Sequence, residues 1–209
     1  KLISGFHVPD EGEKKFKGRN FCEFRPHQIV DLGITMTFQE LSIFGDLTIL
    51  QNVMIGRHKK SKGEFLSSGL GLGLKEQEEK IKESALKYLK LVGFSFDRVN
   101  ELAGNLSYGE QKLLEIVKAM ATEPEVLMLD EPVSGLNEKE IKNMIDVIKN
   151  IQNMGVTILL VEHNMNFVME ISDSILVLNY GVKIKEGIPK EIKRDPLVIK
   201  AYLGEEINV

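Results

Sequence analysis

The sequence predicts an α/β fold built around a parallel sheet, and three observations carry that prediction. Val126-Leu127-Met128-Leu129 and Ile158-Leu159-Leu160-Val161 are uninterrupted apolar runs of strand length, the pattern of strands buried on both faces of a parallel sheet. Between them Ile141, Met144, Ile145, Ile148 and Ile151 recur at helical spacing, which makes the segment a βαβ unit. Asn137 and Glu140 are spaced as a capping box at the start of that helix, and Gly155 follows as its stop.

The first half is less regular. Lys1 to Phe6 reads as the last turn of a helix with Gly5 as the stop, and Lys14 to Lys17 as a short exposed strand ending at Gly18. Pro26 to Leu32 fits a brief helix, with proline in its first turn and Gly33 beyond its end. Ile34 to Phe38 is β-branched and aromatic enough for a strand that delivers Gln39 at its end, and Leu47 to His58 follows as a helix.

Lys59 to Leu74, rich in Gly, Ser and Lys, is expected to be a flexible connection. Its Gly69-Leu70-Gly71-Leu72-Gly73-Leu74-Lys75 run matches neither GxGxxG nor GxxxxGK[ST], and no strand precedes it, so it is rejected as a phosphate loop. Lys75 to Val92 is an amphipathic helix with acid–lysine pairs at i,i+4 on its outer side, closed by Gly93. Ser174 to Asn179 and Val182 to Glu186, split by Tyr180-Gly181, form a hairpin with helical pieces after it.

Composition narrows the function. The 209 residues carry 27 basic and 31 acidic side chains spread along the chain, so no basic block marks a nucleic-acid partner. One cysteine, Cys22, excludes an intrachain disulfide and a cysteine-based metal cluster. No apolar stretch approaches the roughly 20 residues of a spanning helix, so any membrane role goes through a partner.

In an open parallel sheet, ligands bind beyond the carboxyl ends of the strands. Asp130-Glu131 and Glu162-His163 stand there, directly after the two apolar runs. Adjacent carboxylates after an apolar strand suit metal–nucleotide chemistry, since one can hold Mg²⁺ while the other orients an attacking water. Pro132 is expected to bias Glu131 toward an extended backbone. Leu106 to Gln111 reads as a helix start with Ser107 and Gly109 in its first turn, where free amides and the helix dipole favour a phosphate.

Gln39 in Thr37-Phe38-Gln39, Leu106 to Gln111, Val126 to Pro132, Ser134-Gly135-Leu136-Asn137 and His163 occur in that order. They resemble the Q-loop, signature, Walker B, D-loop and switch histidine of ABC ATPases. Thr37 to Leu41, Asn52 to His58 and the tail Asp195 to Gly204 resemble the branched-chain amino-acid importer ATPases in particular. The resemblance implies a P-loop NTPase core at 1–39 and 123–188, a helical subdomain at 40–122 and a helical extension at 189–209. It implies that Asp130 holds Mg²⁺ through water, that Glu131 is the general base, and that His163 contacts the γ-phosphate of ATP. Gln39 would touch the metal and water, and Asn137, Ser107 and Gly109 would serve nucleotide binding, the last two toward ATP held by an opposite protomer.

The partners so implied are integral membrane permease subunits, a second ATPase subunit and, indirectly, a solute-binding protein, at the cytoplasmic face of the membrane. A urea or lipopolysaccharide transporter ATPase and a non-catalytic partner-binding module are the alternatives. No GxxxxGK[ST] occurs in the sequence. By the resemblance, about 40 to 50 upstream residues are expected to carry it, and the chain without them is expected to be loosely folded and inactive toward ATP.

Overall fold

The computed structural model describes residues 1–65 and 74–202, excluding the side chains of 58–65 and 74–77. These residues divide into two compact units, Lys1–Val161 and Glu162–Val209, each taken by itself.

In the first unit, Gly5 N–H donates to Leu2 O and Phe6 N–H to Lys1 O, both at 3.1 Å, with Gly5 at φ +76°. That pair of bonds is the Schellman pattern of a helix end, as the sequence implies. Strands β1 (Lys15–Phe16) and β2 (Arg19–Asn20) form a hairpin through Lys17 and Gly18. Both turn residues have positive φ, which matches the twist of the flanking strands. Helix α1 (Pro26–Asp31) leads into β3 (Ile34–Met36). Phe21, Ile29, Ile34 and Met128 form a buried cluster where these elements meet the sheet.

The sheet is parallel, in the order β3–β4–β5, with β4 at Val126–Asp130 and β5 at Thr157–Val161. Helix α5 (Glu138–Asn153) joins the last two strands and completes the βαβ unit. Its Met144, Ile145, Ile148 and Ile151 are buried, and Asn137 and Glu140 cap it reciprocally. The expected burial of both apolar runs holds for β4 alone. Leu159 and Val161 on β5 are 42% and 59% exposed, and the alternating pattern along Thr157–Val161 shows one face of the strand exposed and the other half-buried.

Three helices pack together beside the sheet: α2 (Ile49–Phe65), α3 (Leu74–Leu91) and α4 (Tyr108–Met120). A Cβ at Gly56 on α2 would lie 2.3 Å from Lys118 O on α4, so glycine is what permits that approach. Helix α2 runs on through Phe65, so residues 59–65 are helical rather than a flexible connection. Lys and Glu there are adequate helix formers and outweigh the single Gly63. Residues 69–73 of the glycine–leucine run and 203–209 of the tail lie outside the described residues.

The strand expected over Ile34 to Phe38 stops at Met36. Thr37 N–H still reaches Met128 O at 2.9 Å, but the amides beyond it turn to side chains of α4.

The second unit contains α6 (Met165–Ile171), an antiparallel hairpin of β6 (Ile175–Asn179) and β7 (Val182–Gly187), α7 (Pro189–Ile192) and α8 (Pro196–Tyr202). Tyr180 and Gly181, both at positive φ, make its turn. Lys185 Nζ pairs with Asp195 at 2.8 Å, and Asp195 Oδ1 accepts the Leu197 amide at 2.9 Å ahead of α8.

Candidate functional site

Strand β4 ends at Asp130, paired with Val161 at the end of β5. Glu131 follows with φ +47°, its N–H on Val161 O at 2.9 Å and its C=O accepting from Ser134 N–H at 3.2 Å. The extended backbone expected for Glu131 is therefore not adopted. Pro132 disfavours the right-handed helical region as anticipated, but the tight turn closed by Ser134 selects the left-handed one. In this posture the Glu131 carboxylate meets Gln39, whose Nε2 donates to Oε2 at 2.9 Å. Residues 92 positions apart are thus joined beside Asp130.

Helix α4 begins at Ser107, whose Oγ accepts from the Glu110 amide at 3.4 Å and donates to Glu110 Oε2 at 3.0 Å. Glu110 also accepts the Ser107 amide at 3.0 Å and pairs with Arg98 at 2.6 Å. Partial burial acts to raise the Glu110 pKa, but the bonds from Arg98 and Ser107 outweigh it and hold the carboxyl below its usual range. Asn137 Oδ1 accepts from the Lys139 and Glu140 amides at 3.0 and 3.1 Å. The two helix starts touch, since a Cβ at Gly109 would fall 2.5 Å from Glu140 Oε1 and one at Gly135 would fall 3.1 Å from the Tyr108 ring. Ser107, Gly109 and Asn137 therefore share one region of the first unit.

His163 belongs to the second unit, two residues after β5 ends. Its side chain is 73% exposed. The Glu162 carboxylate accepts the His163 and Asn164 amides at 2.9 and 3.1 Å, which fixes the backbone at that point.

Sequence reasoning missed the side chains that hold Gln39 in place. Residues 38–44 have no regular structure, so their polar backbone groups need partners from elsewhere. Glu115 Oε1 lies 3.5 Å from the Phe38 amide and 3.4 Å from the Ser42 amide, both long hydrogen bonds. Lys112 Nζ donates to Gln39 O at 3.0 Å, and Lys118 Nζ donates to Ser42 O.

Lys112 and Glu115 are each 3% exposed. Burial pushes the Glu115 pKa up against the two lysines and two amides around it, and burial pushes Lys118 down. Asn52 on α2, fully buried, closes the far end by donating to Phe44 O at 2.9 Å and accepting from Phe44 N at 2.8 Å. The available signal was three charged residues at i, i+3 and i+6 with only apolar residues between them, Lys112-Leu-Leu-Glu115-Ile-Val-Lys118.

Residues 1–134 match the ABC transporter family model, and residues 183–208 match the model of the branched-chain amino acid ATP-binding cassette transporter. The high-affinity branched-chain amino acid transport ATP-binding protein LivG of Salmonella typhimurium is 38% identical over 205 residues, 97% of this chain and 80% of that protein. The corresponding protein BraF of Pseudomonas aeruginosa is 37% identical over the same shares. Among solved structures, a nucleotide-free ATP-binding cassette from an ABC transporter superposes with a TM-score of 0.81 at 28% identity, covering 98% of this chain and 81% of that one.

Proposed function

Since this chain belongs to the ABC transporter family of ATP-binding proteins, we propose that it is the ATP-hydrolysing subunit of an importer for branched-chain amino acids. The observation that carries the catalytic part is the Gln39 amide bonded to the Glu131 carboxylate beside Asp130 at the carboxyl end of β4. The solute rests on the LivG and BraF relatives and on the branched-chain match over 183–208.

Glu131 is the general base, taking a proton from the attacking water at its carboxylate. Gln39 fixes that carboxylate through Nε2, and its amide oxygen would contact the metal and water. His163 contacts the γ-phosphate. Ser107 and Gly109 at the start of α4 meet the γ-phosphate of ATP held by a second subunit, and Asn137 shapes the adjoining turn. That places two ATP sites between two subunits arranged head to tail. The core at 1–39 and 123–188, the helical subdomain at 40–122 and the extension at 189–209 are the corresponding parts.

Asp130 and Gln39 offer hard oxygen donors, and among the described residues no group of three or more His, Cys, Asp or Glu could enclose a metal. Oxygen donors of this kind fit Mg²⁺, which keeps several waters and shares its coordination with phosphate oxygens. When bound, the ion neutralises phosphate charge. Asp130 would hold it through water.

Among the described residues no helix is long and apolar enough to cross a membrane. On the likeness to the transport ATP-binding proteins LivG and BraF, permease subunits supply the pathway and this chain docks on their cytoplasmic side. In the full-length protein, Glu131→Gln should bind ATP normally and lose turnover by about 10²-fold. Unchanged hydrolysis would refute the assignment. The solute is tested by uptake of labelled leucine in cells lacking the gene, where no loss of uptake would exclude branched-chain substrates.

A further inference from the structure

We infer that Lys112, Glu115 and Lys118 form a latch on α4 that sets the position of Gln39 and, through it, of Glu131. This rests on the proposed role of Glu131. The segment from Phe38 to Ser42 has no ladder or helix to fix it, yet four of its backbone groups meet those three side chains. The Phe38 and Ser42 amides converge on one carboxylate oxygen, and the carbonyls of Gln39 and Ser42 accept from the two lysines. Further fixed points flank the segment. The Phe38 ring sits edge-on to Phe6 at 5.5 Å, and Asn52 binds both backbone groups of Phe44.

Chemically, a buried acid and two lysines are a costly way to fill a helix interface. Apolar residues of similar volume do as well or better for stability. Their value here lies in direction: amides need an acceptor, carbonyls need donors, and only a mixed set registers the segment along α4. The same helix begins at Ser107 and Gly109, so a shift of α4 moves both the start of the helix and the Gln39 backbone. The Gln39 side chain then carries that shift to Glu131 over a single 2.9 Å bond. Lys112, Glu115 and Lys118 are positioning residues; none is placed against substrate.

The test is steady-state ATP hydrolysis by the full-length protein with its membrane subunits. Glu115→Leu removes both acceptor bonds while keeping an apolar-compatible volume. It is expected to lower kcat per folded molecule by roughly 10- to 100-fold with KM for ATP within about twofold, and to lower thermal stability as well, because the Phe38 and Ser42 amides and Lys112 lose their buried partner. Glu115→Gln keeps an amide oxygen at the same place and is expected to restore most of kcat. Lys112→Met, which releases Gln39 O, should repeat the kcat loss and stands in if Glu115→Leu does not fold.

Ile148→Ala on α5 serves as the stability control and should leave kcat unchanged. A parental kcat in both Glu115→Leu and Lys112→Met, with Glu131→Gln inactive, overturns the latch and spares the functional reading. Glu115→Gln as slow as Glu115→Leu also overturns it. Parental hydrolysis by Glu131→Gln sinks the functional reading and the latch together.

Discussion

Helices α4 and α5 start alike and then diverge. Each opens on a capping box, Ser107 with Glu110 and Asn137 with Glu140, and the two starts lie against each other at Gly109. Beyond the caps, α5 buries a single apolar stripe and leaves its charges outside. Helix α4 is buried around most of its circumference and takes Lys112 and Glu115 in with it. The difference separates two uses of a helix: α5 supports the sheet by area, whereas α4 also reaches sideways to hold a segment that lacks structure of its own. A hydrophobic period describes the first use completely and the second only in part.

The strongest way to sharpen this contrast is to damage α5 by packing alone. Ile148 is fully buried there, and Ile148→Ala should cost about 2 to 5 kcal/mol of folding stability, read from urea or thermal unfolding of the full-length protein. Turnover per folded molecule should not change, the reverse of the outcome expected for Glu115→Leu.

A smaller effect is expected at the α5 cap. Asn137→Ala removes the acceptor for the Lys139 and Glu140 amides and should cost about 1 kcal/mol, while Asn137→Asp should retain most of it. Equal stability of the two variants would show that the capping bonds contribute nothing at this site.

The mildest effect belongs to the Glu115 carboxyl on α4, and its sign follows from burial. The groups facing it are Lys112, Lys118 and the Phe38 and Ser42 amides, which favour the charged form but do not overcome desolvation. Its folded pKa is therefore raised above the ordinary 4.5. The folded state then holds the proton where the unfolded chain has released it. This contribution is fully present below about pH 4.5 and is lost as pH rises through the higher folded value. Stability of the parent relative to Glu115→Gln should accordingly fall across that window and level off above it, measured by unfolding at a series of pH values. A difference that rises with pH would mean that the two lysines dominate over burial.

The same contrast explains what could be read in advance. The βαβ unit, the Asn137–Glu140 capping box and the Tyr180-Gly181 hairpin turn follow from local chemistry: period, cap residues, and glycine where φ is positive. Burial of β5 did not follow, because Thr157 to Val161 has the apolar run of an inner strand, while coverage of each face is decided by tertiary packing that the run does not encode. The helical turn past Lys59 was masked by residues that suit loops and helices equally.

At the candidate site, Asp130 and Glu131 were legible from their place after an apolar strand and Gln39 from the family resemblance, but the bond between Gln39 and Glu131 depends on a backbone turn that Pro132 alone does not specify. The latch on α4 was invisible to a search for apolar stripes, because its residues are the charged ones inside the stripe.

The left-handed backbone at Glu131 has an implication for anyone evolving this protein. A side chain held at φ +47° costs on the order of 1 to 3 kcal/mol relative to a residue at ease there. Glycine enters that region without penalty, and asparagine more readily than glutamate. A library selected only for heat resistance would therefore enrich Glu131→Gly and Glu131→Asn, and on the role proposed for Glu131 the winners would be sturdy and silent, having surrendered the carboxylate that Gln39 holds. Directed evolution of this chain must screen for turnover at every round, because at residue 131 robustness and chemistry pull toward different amino acids.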